Sequence, residues 1–212
     1  MRDTDARIGV VGGTGAVGRV TLELLADRRY EDVRVFASAR SAGSTLTLGE
    51  RAVTVEEATP DTLAAGDVDV FLFSVGTSAS RELVPHAVRG GALVIDKSSA
   101  YRLVDGYPLV VPEVNGTRAL EAVETTRVVA NPNCCTIPLT CVLKPLHEAV
   151  GLQRVRISTY QSVSGAGASA RIFASSSVSS PSQGQSNSRS CSSDGSARSR
   201  SIRCAPAPET AW

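Results

Sequence analysis

An excess of charge of either sign is missing from this sequence. Its 22 basic and 21 acidic side chains leave a formal net charge of +1, so nothing in the balance draws the chain to nucleic acid or to an anionic membrane surface. Long apolar runs are missing too. No window approaches the ~18 uninterrupted apolar residues of a membrane span, and no membrane association is expected. Met1 to Arg7 is polar, and the apolar stretch after it is short and broken by glycine, unlike the core of a secretory leader. Cysteine is scarce and poorly spaced for cross-linking. Of the five, Cys134 and Cys135 are adjacent and Cys141 follows closely, which fits neither a disulfide framework nor the CxxC spacing of a metal site. No metal is expected, and the setting is expected to be reducing and cytoplasmic. Histidine is limited to His86 and His147, both expected on helix faces rather than at a reacting centre.

What is present begins with a glycine-rich turn. Residues 7–11 form a short apolar run that enters Gly12-Gly13-Thr14-Gly15-Ala16-Val17-Gly18, and a helical pattern follows, with Val17, Val20, Leu24 and Leu25 spaced for one face. Strand, glycine turn and helix in that order are the context in which a GxGxxG match carries meaning. The glycines permit a tight turn and close approach of a pyrophosphate, whose charge the helix N-terminus stabilises. The next strand, Val33–Ala37, runs into Ser38, Arg40 and Ser41. About twenty residues beyond the last glycine, an NAD site usually places an acid for the ribose 2′-hydroxyl, whereas a 2′-phosphate requires arginine and hydroxyls. The chain offers no acid there, so NADP is the expected cofactor.

A βαβ rhythm continues through Thr45–Leu48, Ala52–Val55, the almost wholly apolar Val68–Phe73, a helix from about Ser80 to Val88, and Ala92–Ile95. Asp96 to Arg102 then occupies the carboxyl end of a strand, where ligands bind in open α/β sheets. Pro112-Glu113-Val114-Asn115 and a helix to about Val123 follow, and the run Arg127–Ala130 leads into Asn131-Pro132-Asn133-Cys134-Cys135-Thr136, ahead of the apolar segment Ile137–Leu146. A thiol between a strand and a helix lies near backbone N–H groups and the positive end of the helix dipole, both of which favour the thiolate. Cys134 is therefore the expected nucleophile.

The fold class expected is α/β: a Rossmann-type, doubly wound parallel sheet, then the start of an α+β catalytic and dimerisation domain, then a disordered tail. The boundaries are expected at 1–130 for the NADP-binding domain, 131–170 for the segment that carries the thiol, and 171–212 for the tail. Leu152–Val163 alternates with period two, as a half-exposed strand does, and closes on a small-residue loop. Beyond Ala170 about a third of the residues are serine, too little apolar surface to offset ordering entropy. Arginines there are sparse and unrepeated, so an RNA-binding tail is not expected. The abrupt compositional change is read as out-of-frame or otherwise aberrant sequence in place of a second domain.

Five ordered motifs resemble the aspartate-semialdehyde dehydrogenase family. They are Val10 to Gly18, Ala37 to Gly43, Val111 to Asn115, Asn131 to Cys134, and Ser158 to Gly167. The resemblance implies conversion of L-aspartyl 4-phosphate and NADPH to L-aspartate 4-semialdehyde, phosphate and NADP, in the biosynthesis of lysine, threonine and methionine. Cys134 is implied as the residue that forms a thioacyl intermediate. Gln161, Arg102 and Asn133 are implied at the substrate, with Arg102 on its phosphate. Thr14 to Val17, Arg40, Ser41, Ser164 and Gly165 are implied at NADP, and the intact family is a homodimer. The residue after the nucleophile is commonly Ser or Thr in that family, whereas here it is Cys135. The family's acid/base histidine and substrate-carboxylate arginine find no match after Ala170. Two alternatives stand beside this reading: an N-acetyl-glutamyl-phosphate reductase-like enzyme, and a non-catalytic NADP-binding fragment.

Overall fold

A computed structural model describes residues 3–158 and the strand pair member Ile202–Arg203. The first compact unit runs to Pro145 and is built on a seven-stranded sheet of order β3-β4-β2-β1-β5-β6-β7. The strands are β1 (Ile8–Val11), β2 (Val33–Ala37), β3 (Thr45–Leu48), β4 (Arg51–Glu57), β5 (Val70–Phe73), β6 (Leu93–Asp96) and β7 (Val128–Ala130). Every neighbouring pair is parallel except β3 with β4. The antiparallel pair at the edge alternates exposed and buried residues on β3, whereas β1 is buried at all four positions. Parallel central strands are covered on both faces and so read as unbroken apolar runs.

Helices lie on both faces, as a doubly wound sheet requires. On one face α1 (Ala16–Asp27) packs Leu22 and Leu25 against Ile8, Val10 and Val35. On the same face α5 (Thr117–Glu124) packs Ala122 near Val129, Leu93 and Ile95. On the other, α3 (Thr77–Arg89) packs Leu83, Val84 and Ala87 over Val11, Phe73 and Val94. The one-turn helix α2 (Pro60–Leu63) adds Leu63 to that layer. Phe71 joins Phe36 and Phe73 edge-on, with ring centroids 5.6 and 6.0 Å apart.

Two expectations need correction. The buried face of α1 is Gly18, Thr21, Leu22 and Leu25, while Val17, Val20 and Leu24 are half exposed. The helix is rotated by the close seat of Gly18 and not by its apolar stripe. Pro112-Glu113-Val114-Asn115 forms a one-turn helix of its own, α4 (Pro112–Asn115), and the helix expected to end near Val123 is α5, which begins after Gly116. A Cβ on Gly116 would stand 2.7 Å from the Pro112 carbonyl oxygen, so the tight break needs a residue without one. The strand expected over Leu152–Val163 is found at β8 (Arg154–Val155), paired antiparallel with β9 (Ile202–Arg203) in the second unit. Residues 159–163, the small-residue loop and the remainder of the 171–212 tail lie outside the described residues. Helix α6 (Thr136–Val150) follows β7 and, for all its apolar content, has no buried residue.

Truncating Phe71 removes the centre of the aromatic cluster. Phe71→Ala is expected to cost about 3–5 kcal/mol, the usual range for a buried Phe-to-Ala change, measured as a shift in the urea midpoint at constant slope.

Candidate functional site

The strand order reverses between β1 and β5, because the chain leaves β1 toward β2 and later returns to the other side of β1 at β5. In open α/β sheets the crevice at the carboxyl ends of such strands is the ligand site. Here it is an open cavity of about 410 Å³ lined by Gly12, Thr14, Gly15, Ser38, Ser74 and Gly76, among others. Of the expected cofactor residues, Gly12, Thr14, Gly15 and Ser38 therefore line it directly. Gly13 and Gly18 are buried behind them, Ala16 and Val17 form the exposed first turn of α1, and Arg40 and Ser41 follow Ser38 on a short 3-10 turn. Arg40 is exposed and has no ion pair among the described residues.

Each glycine has a steric reason. Gly12 has φ +85°, and a Cβ on it would lie 2.5 Å from the Ser74 carbonyl oxygen. A Cβ on Gly13 would meet Val35 Cγ1 at 2.3 Å, and one on Gly18 would meet the Gly12 oxygen at 2.3 Å and Gly13 Cα at 2.6 Å. The turn thus presses α1 against β1 and β2. Gly15 is the N-cap of α1 and offers no side-chain hydrogen bond to it, and Gly76 does the same for α3. Neither helix has an acid in its first turn. Two uncapped helix N-termini, with their orphan N–H groups and positive dipole ends, thus border one crevice. Ser74 Oγ is buried there without a hydrogen-bond partner. An anion between two helix ends and an acceptor or donor for that hydroxyl are what the residues present would satisfy, and a dinucleotide supplies both. Sequence reasoning saw residues 74–78 only as a turn. The cue was the second glycine N-cap, directly after a fully apolar strand.

From the crevice the sheet edge continues through β6 to β7. Asp96 ends β6 fully buried and accepts hydrogen bonds from Ser80 Oγ at 2.8 Å, Ser98 N at 3.1 Å and Ser98 Oγ at 2.7 Å. The following loop is tied to α3 by Ser99 Oγ and Thr77 Oγ1, 2.8 Å apart. Arg102 is drawn inward. Its Nε donates to the Asn131 carbonyl at 2.9 Å and Nη2 to the Lys97 carbonyl at 2.7 Å. The guanidinium still has N–H donors beyond those two bonds. The main chain is locked at the same place, since Asn131 N donates to the Asp96 carbonyl at 2.8 Å.

Two residues on, Asn133 forms the turn that leads into α6. Its Oδ1 accepts from Cys135 N at 2.9 Å, and its carbonyl accepts from Thr136 N at 2.8 Å. Cys134 is exposed, with its Sγ 3.8 Å from Asn133 Oδ1. Burial first, then a hydrogen bond to Cys134 and the charge there, push the Cys135 thiol up from its ordinary value. Cys134 is the more exposed of the two thiols. Asn133 acts in this structure as the cap that shapes the turn, and Gln161, Ser164 and Gly165 lie outside the described residues. His86 sits in the last turn of α3, at the end away from the crevice, 3.4 Å from an Arg89 nitrogen. His147 belongs to the second unit.

Two family descriptions match the chain. The NAD-binding domain of semialdehyde dehydrogenase matches residues 7–122, and the semialdehyde dehydrogenase dimerisation domain matches residues 143–192. Aspartate-semialdehyde dehydrogenase of Bacillus subtilis (strain 168) is 46% identical over 162 residues, which cover 76% of this chain and 45% of the relative. The solved aspartate semialdehyde dehydrogenase II of Vibrio cholerae, complexed with ASA, is similar at a TM-score of 0.72 and 38% identity, over 78% of this chain and 49% of that one. The Candida albicans aspartate semialdehyde dehydrogenase with NADP is similar at a TM-score of 0.54 and 27% identity, over 69% and 48%. The chain spans about half the length of the relatives it matches. No helix among the described residues is long and apolar enough to cross a membrane.

Two outcomes follow from this geometry. Gly18→Ala places a Cβ against backbone that cannot turn away, so NADPH affinity is expected to fall at least about tenfold, or 1.4 kcal/mol, by calorimetric titration. Limited iodoacetamide treatment with peptide mapping should alkylate Cys134 well before Cys135. Equal labelling of the two would remove Cys134 from its role.

Proposed function

The chain belongs to the semialdehyde dehydrogenase family, and on that premise we propose that it carries the cofactor site and the nucleophile of an NADP-dependent phosphorylating aldehyde dehydrogenase. The substrate is L-aspartyl 4-phosphate, reduced to L-aspartate 4-semialdehyde on the route to lysine, threonine and methionine. The observation that carries this reading is the exposed Cys134 at the start of α6, on the same sheet edge as a crevice suited to a dinucleotide. β7 lies three strands from β1, on the order of 14 Å at ~4.8 Å per strand.

Each residue then has a task. Cys134 attacks the acyl carbon and expels phosphate, leaving a thioester on the enzyme; one hard step becomes two easier ones. The remaining Arg102 donors receive the phosphate, for which a planar guanidinium is suited. The Asn133 turn and the α6 N-terminus stabilise the thiolate. NADPH, held at the glycine turn with Ser38 and Arg40, would supply a hydride to the thioester carbonyl, and Cys134 would leave as the thiolate as the aldehyde forms. The family resemblance assigns Gln161 to the substrate, and Ser164 and Gly165 to NADP. The absence of an acid after β2, with Ser38, Arg40 and Ser41 in its place, supports NADP over NAD. Cytoplasmic residence and a homodimer, through the segment similar to a dimerisation domain, complete the reading. The half-length match to the relatives favours one second reading, a fragment that binds NADP without turnover.

Phosphate-dependent NADP reduction with aspartate semialdehyde tests both, using this chain and Cys134→Ala. Turnover impaired by the unmatched acid/base histidine and substrate arginine, yet present in the chain and absent in the variant, is expected; NADPH binding with no turnover in either establishes the fragment. Arg40→Ala should weaken NADPH about tenfold, the loss of one charge-assisted hydrogen bond, and leave NADH binding unchanged.

A further inference from the structure

One cation of the sheet edge has no task in the reaction above. Lys97 is the first residue after β6, half-buried, and its N–H donates to the Phe73 carbonyl at 3.0 Å. Its ammonium reaches across to α1, where Nζ donates to Thr21 Oγ1 at 2.8 Å. That hydroxyl itself donates to the Val17 carbonyl at 2.8 Å, inside the first turns of α1. No carboxylate pairs with Lys97 among the described residues, and burial lowers its pKa with no opposing charge to restore it. An ammonium has three donors and no acceptor, so a single neutral hydroxyl leaves it undersatisfied. A half-buried cation in that condition is costly unless an anion arrives.

The register shows where the anion would lie. Val11 pairs with Phe73, and Phe73 with Asp96. One residue further on, Gly12, Ser74 and Lys97 therefore stand side by side at the carboxyl ends of β1, β5 and β6. Ser74 and Lys97 continue the alternation of Leu72 and Ile95, which belong to the α1 and α5 side of the sheet. Ser74 Oγ is the buried hydroxyl without a partner. Two unsatisfied polar groups, one charged, thus adjoin in neighbouring strands beside the N-terminus of α1. The adenosine half of a dinucleotide belongs on the β2 side, with Ser38 and Arg40, so its other half crosses β5 and β6.

We propose that Lys97, with the Ser74 hydroxyl beside it, binds a phosphate group on the nicotinamide side of the crevice, the cofactor's pyrophosphate being the anion. The inference rests on the dinucleotide reading of the crevice and adds a cation that neither the glycine motif nor the Arg40 loop supplies. Thr21 is the resting place of the ammonium when no anion is bound.

Calorimetric titration of the full chain with NADPH, with adenosine 2′,5′-bisphosphate and with inorganic phosphate tests it, with thermal melts as a control for folding. Lys97→Met should weaken NADPH roughly 10- to 100-fold, as loss of a hydrogen bond to a charged group implies, and leave the bisphosphate, which lacks the pyrophosphate, unchanged. Ser74→Ala should weaken NADPH by less, about three- to tenfold for a neutral donor. Thr21→Val frees the ammonium and should leave NADPH affinity at or above that of the parent chain. Equal NADPH affinity in the parent and Lys97→Met overturns the assignment, as does an equal loss for NADPH and the bisphosphate. So does a fall in Thr21→Val matching that in Lys97→Met, which would make the pair a structural tie. A loss confined to inorganic phosphate assigns the same cation to the substrate's phosphate instead of the cofactor's. Failure of the parent chain to bind NADPH while remaining folded overturns the dinucleotide reading itself, and this assignment with it.

Discussion

A fully buried carboxylate organises the working edge of this sheet. Asp96 has no exposure, and its oxygens accept from Ser80 Oγ, Ser98 N and Ser98 Oγ. A buried carboxylate is tolerated only when its acceptors are filled, so the three donors must stay where they are. Ser80 belongs to α3, whose N-terminus borders the crevice; Ser98 lies in the loop that carries Lys97 and Arg102. The Asp96 carbonyl also receives the Asn131 N–H, and Arg102 closes the circuit by binding the carbonyls of Lys97 and Asn131. One residue therefore links the cofactor crevice to the segment that presents Cys134. The spacing between the crevice and the Cys134 segment is thus held by a hydrogen-bond network.

Much of this was legible in the residues, for identifiable reasons. Strands covered on both faces carry unbroken apolar runs, so β1, β2, β5, β6 and β7 were found within about two residues of their ends, the ordinary uncertainty of element boundaries. The glycine turn was legible because Gly12, Gly13 and Gly18 each answer a clash that any Cβ would create. The place of Cys134 was legible because an apolar strand, Asn-Pro-Asn and an apolar helical run follow one another in the sequence. Asp96 was not, since an aspartate at a strand end looks the same in sequence whether it faces water or Ser80. Ser74 and Lys97 were missed for a related reason. Their adjacency comes from the register of three parallel strands separated by whole helices in sequence, which no local pattern encodes.

The segment after Ala170 shows the limits of composition as a guide. Its serine content marks a break there, yet similarity to the dimerisation domain runs over residues 143–192 and crosses that point. Composition reports the capacity of a stretch to bury apolar surface by itself. Descent from a domain that buries its surface against other segments leaves a different trace, in the order of particular residues. The two measures need not place an edge at the same residue.

Helix α1 shows local packing and binding geometry pulling in different directions, and the magnitudes say which prevails. Val17, Val20 and Leu24 form an apolar stripe whose centre lies about 120° round the helix from the buried face, at 100° per residue. Full burial of each would be worth about 1.5–3 kcal/mol, yet they stay 51%, 53% and 50% exposed. Turning the helix to bury them would move Gly18 away from Gly12 and Gly13, open the turn and swing the N-terminal N–H groups off the crevice. It would also withdraw Thr21 from Lys97. Part of the apolar gain is kept at half exposure, while a separated glycine turn would lose the anion site outright. The rotation of α1 is thus set by the contact at Gly18, and a hydrophobic-face rule applied to its sequence selects the wrong side because it weighs only one of the two terms.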